Sequence, residues 1–240
     1  MQIAPIPTLS EEINDIRLRT ADIVGNQIIP NEGLIYSGGE KSTKIRKQIR
    51  EEVKKQGLWA PHLPEEYGGM GNGFLTHAYM NEILAWSPLG NRLFGVIAPN
   101  SGNQKILVKY GTDEQKEKWL IPLINQEMES GFSMTEPDAP GSDPRSLQTT
   151  AVKDGDEWVI NGHKIMTSNG QRADFLVVMC RTEDDDDDSG NANMKMTQII
   201  VPTDSPGLER IRSVPIWGHT GGDHMEIKYK DVRVPLENAL

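Results

Sequence analysis

Two hydrophobic rhythms divide this chain. Through about residue 130 the apolar positions recur every three or four residues, and beyond it they alternate or form short unbroken runs. Ile13, Ile16, Ala21, Val24 and Ile28 mark one helical face. It starts at Ser10-Glu11-Glu12, where acids suit the positive end of a helix dipole, and Pro30 closes it. A second helix is expected over 41–56, with Ile45, Ile49 and Val53 on one face and Gly57 as its stop. A loop at 58–73 carries Trp59, two prolines and glycines at 68, 69, 71 and 73. Further helices are expected over 74–86, near 92–97, over 101–110 and from Thr112 to Ile124. Thr112 and Gln115 stand at the spacing of a capping box.

From 131 onward the pattern is that of strands. Phe132 to Thr135 alternate, and a loop at 136–143 follows, kept out of any helix by Pro137, Pro140 and Pro144. Runs at 147–153 and 158–160 are joined by an Asp154-Gly155 turn, and Asn161-Gly162 reads as a second turn leading into 164–168. Runs at 175–180 and 197–201 suit buried strands, whereas 225–229 alternates like a half-exposed one. The expected fold is α+β. A helical domain over 1–130 precedes a small β-barrel or sandwich over 131–240. Runs ending in Thr135 and Ser168 would set two hydroxyls and nearby backbone donors on one sheet edge.

Composition narrows the function classes. Of 240 residues 36% are hydrophobic and 25% charged, which fits a folded globular chain. No apolar run approaches membrane-helix length, and residues 1–12 lack the pattern of a secretory signal. Cys180 is the only cysteine, which excludes an internal disulfide and suits a reducing compartment. The net charge of −10, six of it from the run at 183–188, speaks against nucleic acid as partner. That run reads as a solvated loop, because consecutive aspartates repel one another rather than enclose a cation. His219 and His224 flank Thr220-Gly221-Gly222-Asp223, but without a clear third ligand no metal site is expected. Glu65-Glu66 precedes a glycine loop and is read as surface; His62 and His77 are read as surface or packing residues.

Several motifs then occur in one order. Thr135-Glu136-Pro137, Gly141-Ser142-Asp143, Trp158 to Lys164 and Ser168-Asn169-Gly170 are followed by Val201-Pro202, Pro206-Gly207-Leu208 and Asp231 to Pro235 with Glu237-Asn238. Together they resemble the acyl-CoA dehydrogenase flavoprotein family. Leu58 to Gly73 and Tyr110-Gly111-Thr112 with Trp119-Leu120 resemble its helical N-terminal domain. The resemblance implies FAD as cofactor and an acyl-CoA thioester as substrate. Phe132, Met134 and Thr135 would border the flavin, with Thr135 near its pyrimidine side. Gly141 and Ser142 would lie by the phosphate-bearing chain or the CoA portion, Ser142 also touching substrate. Met166, Thr167 and Ser168 would line the ring from the second run, Ser168 standing where the family has a threonine at flavin N5.

The chain departs from the family pattern in places. The loop at 136–143 is one residue longer and carries Pro140; Met166 replaces a tryptophan and Ser168 a threonine. Trp217-Gly218-His219-Thr220 and His224-Met225-Glu226 replace a Gly-x-Arg and Ser-x-Thr pattern. No helical-bundle pattern follows before Leu240, and the family's catalytic glutamate lies on such a bundle. This chain is therefore expected to hold no catalytic base and to be a fragment or one half of a split enzyme. The implied reaction is α,β-dehydrogenation to a trans-2-enoyl-CoA, as in fatty-acid β-oxidation, with an electron-transfer flavoprotein as acceptor and a homo-oligomer as the complete form. The implied location is the cytoplasm of a bacterium, or mitochondria or peroxisomes of a eukaryote. A flavin- or CoA-binding module without chemistry, or a related oxidase, remain the alternatives.

Overall fold

The computed structural model describes residues 3–182, 195–217 and 223–240, in two units, Met1–Ser101 and Gly102–Leu240. The acidic run at 183–188 and His219 with Thr220-Gly221-Gly222 lie outside the described residues. In the first unit Ser10 caps α1 (Glu11–Ile23) by accepting from the Ile13 amide at 3.3 Å. Ile16, Ile23, Val24 and Ile28 are buried, as the spacing requires. Pro30 does not end the helical path. It falls in the first turn of a tight 3-10 segment (Ile29–Asn31), where its missing N–H costs nothing, and a short α2 (Glu32–Tyr36) follows. Helix α3 (Gly39–Lys55) buries Ile49 and Val53 and ends before Gly57, whose φ of 67° reverses the chain. Helices α4 (Gly73–Leu84) and α5 (Gly90–Leu93) complete the unit.

Helix α6 (Asn100–Tyr110) leads into the second unit. The capping box at the start of α7 (Asp113–Gln115) forms as read: Gln115 N donates to Thr112 Oγ1 at 3.2 Å and Thr112 N to Gln115 Oε1 at 2.9 Å. The same Gln115 side chain donates to the carbonyls of Glu237 and Ala239, tying the helix start to the last residues. A widened turn (Lys116–Leu120) precedes α8 (Ile121–Asn125) and carries Trp119, whose ring centroid lies 5.0 Å from that of Phe175.

Among the described residues seven strands make one mixed sheet: β1 (Ser130–Ser133), β2 (Thr150–Asp154), β3 (Glu157–Ser168), β4 (Phe175–Thr182), β5 (Lys195–Pro202), β6 (Leu208–Ser213) and β7 (His224–Pro235). From β5 it runs through β4 to β3, β7 and β6. β1 and β2 share the lane between β4 and β3: β1 pairs the start of β4 and the end of β3, and β2 pairs their other halves. Side chains from β2, β3, β4, β5 and β7 meet in a single cluster around Ile160, Val178, Ile199, Ile227 and Val232, so the sheet curls about its own core. β4 is buried on both faces, with Leu176 and Val178 in that core and Phe175 against Trp119.

The turn expected at Asp154-Gly155 forms one residue later: Asp154 still pairs with Glu157, and Gly155, at φ 62°, and Asp156 make the turn. Asn161-Gly162 is not a turn. β3 runs straight through it, and the extra residue lies opposite, in β7, where Asp231 takes φ 50°. Asn161 compensates this bulge, accepting from the Asp231 amide at 2.9 Å and donating to its carboxylate at 3.1 Å. β1 also stops two residues before Thr135. β6 was not legible, because Leu208 to Ser213 is an edge strand with almost no buried face to set a period.

Candidate functional site

The site grows from the short antiparallel ladder between β1 and β3. Phe132 pairs with Ser168, and three residues on the Ile165 amide donates to the Thr135 carbonyl at 2.8 Å. Thr135 and Ser168 therefore sit at opposite ends of this ladder, roughly 10 Å apart along the strand direction. The two hydroxyls expected on one sheet edge thus belong to one ladder but to its two ends. Phe132, Met134 and Ser168 are half-buried, and Met166 is 37% exposed. Met166 is also one of two residues of β3 facing a single residue of β7 across a second bulge, and its φ is 60°. A left-handed backbone at a residue other than glycine costs about 1–2 kcal/mol, here taken up within the bulge.

Behind the ladder a hydroxyl chain faces the core. Tyr229 Oη donates to Ser133 Oγ at 2.9 Å, and Ser133 Oγ lies 3.0 Å from Thr167 Oγ1. All three side chains are buried, and burial pushes the Tyr229 phenol far above its usual value. Thr167, expected beside the ring, has its side chain turned inward and its hydroxyl engaged by Ser133. Asn103 fixes β1 from α6, donating to Ser130 Oγ at 2.9 Å and Gly131 O at 3.1 Å.

The loop after β1 is locked by a buried ion pair that the sequence reading passed over. Lys164 Nζ, fully buried, donates to Met134 O at 2.8 Å and to Glu136 Oε1 at 2.9 Å. Glu136 also accepts from the amides of Gln148 (2.7 Å) and Thr149 (2.8 Å) and from the Thr149 hydroxyl (2.6 Å). Burial opposes its charge, but these four donors outweigh it and hold the carboxyl below its usual range. Burial likewise pulls the Lys164 ammonium down, with Glu136 working against that shift. A signal existed: Lys164 has the parity of Trp158 and Ile160, so a charge on the core face of β3 demanded a partner. A cavity of about 330 Å³ opens beside this lock, lined among others by Glu136, Thr149, Gly162 and His163. Cys180 is buried too, its thiol pushed up to about 12, which removes it as a nucleophile.

Gly141 lies against Thr135, for a Cβ built there would be 3.4 Å from Thr135 Cγ2, while Ser142 is exposed next to it. Asp143 shapes this loop, its amide donating to Pro140 O and its carboxylate accepting from Arg145 N and Nε. At the far end Ser168 Oγ is 3.1 Å from His224 Nδ1. The structure therefore gathers Phe132, Met134, Thr135, Met166 and Ser168 along one ladder, sets Gly141 against its Thr135 end with Ser142 exposed next in the chain, and turns the Thr167 side chain inward. Among the described residues no cluster of His, Cys, Asp and Glu suits a metal ion, and no helix is long and apolar enough to cross a membrane.

Comparison with known proteins gives a consistent picture. Residues 10–127 match the family described as acyl-CoA dehydrogenase, N-terminal domain, and residues 131–232 the one described as acyl-CoA dehydrogenase, middle domain. Acyl-CoA dehydrogenase family member 10 of Mus musculus is 36% identical over 201 residues, 80% of this chain and 18% of the mouse protein. The crystal structure of acyl-CoA dehydrogenase from Geobacillus kaustophilus superposes with a TM-score of 0.70 at 29% identity, over 98% of this chain and 59% of that one. That of a glutaryl-CoA dehydrogenase from Mycobacterium smegmatis in complex with FADH2 gives 0.70 at 26% identity, over 96% and 55%. The chain thus spans only part of the length of each of these relatives.

Proposed function

Because this chain belongs to the acyl-CoA dehydrogenase family, we propose that the β1–β3 ladder is one wall of an FAD site serving α,β-dehydrogenation of an acyl-CoA. Residues 1–130 act on this reading as the family's N-terminal helical domain and 131–240 as its middle β domain. The observation that carries the reading is Met166, an exposed thioether kept on a strained backbone between Phe132 and Met134 on one side and Ser168 on the other. Such a face fits a flat ring that is apolar on its surface and polar at its rim. When bound, FAD supplies the two-electron acceptor, and the product is a trans-2-enoyl-CoA. An electron-transfer flavoprotein is the acceptor from the ring, and the complete enzyme is a homo-oligomer.

The chain's own residues bind and orient. Phe132, Met134 and Met166 exclude water from one ring face, and the thioether adapts to its shape. Thr135 and Ser168 offer hydroxyls from the two ends of the ladder, preorganised dipoles where the ring gains electron density. The Glu136–Lys164 pair holds the Thr135 end in place, since Lys164 bonds the Met134 carbonyl directly. Gly141 and Ser142, above Thr135, face the phosphate-bearing part of the cofactor or of CoA. The test is to titrate the protein with FAD, following flavin fluorescence, and then add acyl-CoA anaerobically. Saturable quenching is expected, and its absence overturns the reading.

Met166→Gly separates stability from binding. Glycine relieves the left-handed backbone, so unfolding free energy from urea titration should rise by up to about 1 kcal/mol. FAD affinity should fall about tenfold, the cost of losing one well-packed apolar contact. Unchanged affinity would remove Met166 from the site.

A further inference from the structure

Ser168 is held from both sides in register, by Phe132 of β1 and by His224 of β7. The geometry points to His224 as the positioning residue that decides which way the Ser168 hydroxyl faces. This rests on the reading above, in which Ser168 meets the flavin, and adds to it a residue considered so far only as a metal ligand.

A serine hydroxyl has one hydrogen and two lone pairs, and alone it turns among three wells. Here its oxygen is 3.1 Å from His224 Nδ1. When Nδ1 is bare, Ser168 donates to it and presents lone pairs outward. When Nδ1 carries a proton, Ser168 accepts, and its own hydrogen is free to point outward. An oxidised ring nitrogen that accepts and a reduced one that donates call for these two opposite faces. One imidazole contact serves both while the oxygen stays put. Arg172 holds the pair together from outside: it reaches Asp223 at 2.7 Å and Asn169 Oδ1 at 3.3 Å, the neighbours of His224 and Ser168. The His224 carbonyl is fixed as well, accepting from Val214 N at 2.7 Å. With its backbone fixed in this way, His224 keeps its ring beside Ser168.

The experiment measures FAD dissociation constants and flavin midpoint potentials for the whole chain and for H224A, H224N, S168A and the S168A/H224A double variant. H224A should weaken FAD binding about fivefold, the worth of one ordinary hydrogen bond. Asparagine places a donor or an acceptor close to the former Nδ1, so H224N should stay within about twofold of wild type. In the S168A background, removing His224 should change neither affinity nor potential further, because its effect passes through the serine. A full effect of H224A in that background, or wild-type behaviour of H224A, overturns the positioning role while leaving the flavin site standing. Wild-type protein that binds no FAD overturns the flavin reading, and this inference with it.

Discussion

Glu136→Gln is expected to cost the β-rich unit about 3–5 kcal/mol, because it leaves the fully buried Lys164 ammonium without a counter-charge. Glutamine also turns an N–H toward one of four groups that all donate to the present carboxylate. Lys164→Met is expected to cost less, about 1–3 kcal/mol, since the carboxylate keeps its two amides and one hydroxyl. The double substitution should recover part of the Glu136→Gln loss. Urea unfolding of the three variants at neutral pH reads the order directly, and a Glu136→Gln loss below about 1 kcal/mol would show that the pair is not the lock described. The pH dependence has a definite sign. The carboxyl titrates lower folded than unfolded, so its stabilisation is complete above the unfolded value of about 4.3 and drains away as pH falls through the folded value. Wild type should lose stability on acidification below about pH 4 more steeply than Glu136→Gln, which has no such proton to take up.

That lock also shows what the sequence could and could not reveal. Helix starts were legible because they depend on residues close in sequence, as at Ser10 with Ile13 and Thr112 with Gln115. The runs around β4 and β5 were legible because continuous apolar residues have few other places to go. What decides the site is non-local. Lys164 meets a carboxylate 28 residues away, Tyr229 a serine 96 away, and Ser168 a histidine 56 away. The run pattern offered only the hydroxyls of Thr135 and Ser168, and the resemblance to the family named the other candidates along the ladder. A bulge at Ile165 and Met166 shifts β3 by one residue, so the inward face of Thr167 cannot be read from a count of alternating positions.

The second large effect is expected at Gly162, where local preference and tertiary space point opposite ways. In mid-strand an alanine would ordinarily be tolerated or mildly favourable, given the entropy glycine loses on folding. Here a Cβ would lie 2.2 Å from Thr149 Oγ1 and 2.6 Å from Thr149 Cβ. Thr149 has little freedom to withdraw: its amide and hydroxyl both bond Glu136, and its carbonyl accepts from Arg181 N at 2.8 Å. Gly162→Ala must therefore displace the hydroxyl from the carboxylate as well as overpack β3 against the chain at 148–149. Overpacking costs about 1–3 kcal/mol and a lost bond to a charged group about 1.5–3 kcal/mol, so a total of about 3–5 kcal/mol is expected in urea unfolding. Thr149→Gly alone loses the hydroxyl bond, but combined with Gly162→Ala it removes the collision, so the double variant should be more stable than Gly162→Ala. A Gly162→Ala protein as stable as wild type would mean that β3 can shift relative to Thr149. The close approach that makes Asn161-Gly162 a strand rather than a turn would then not be a constraint.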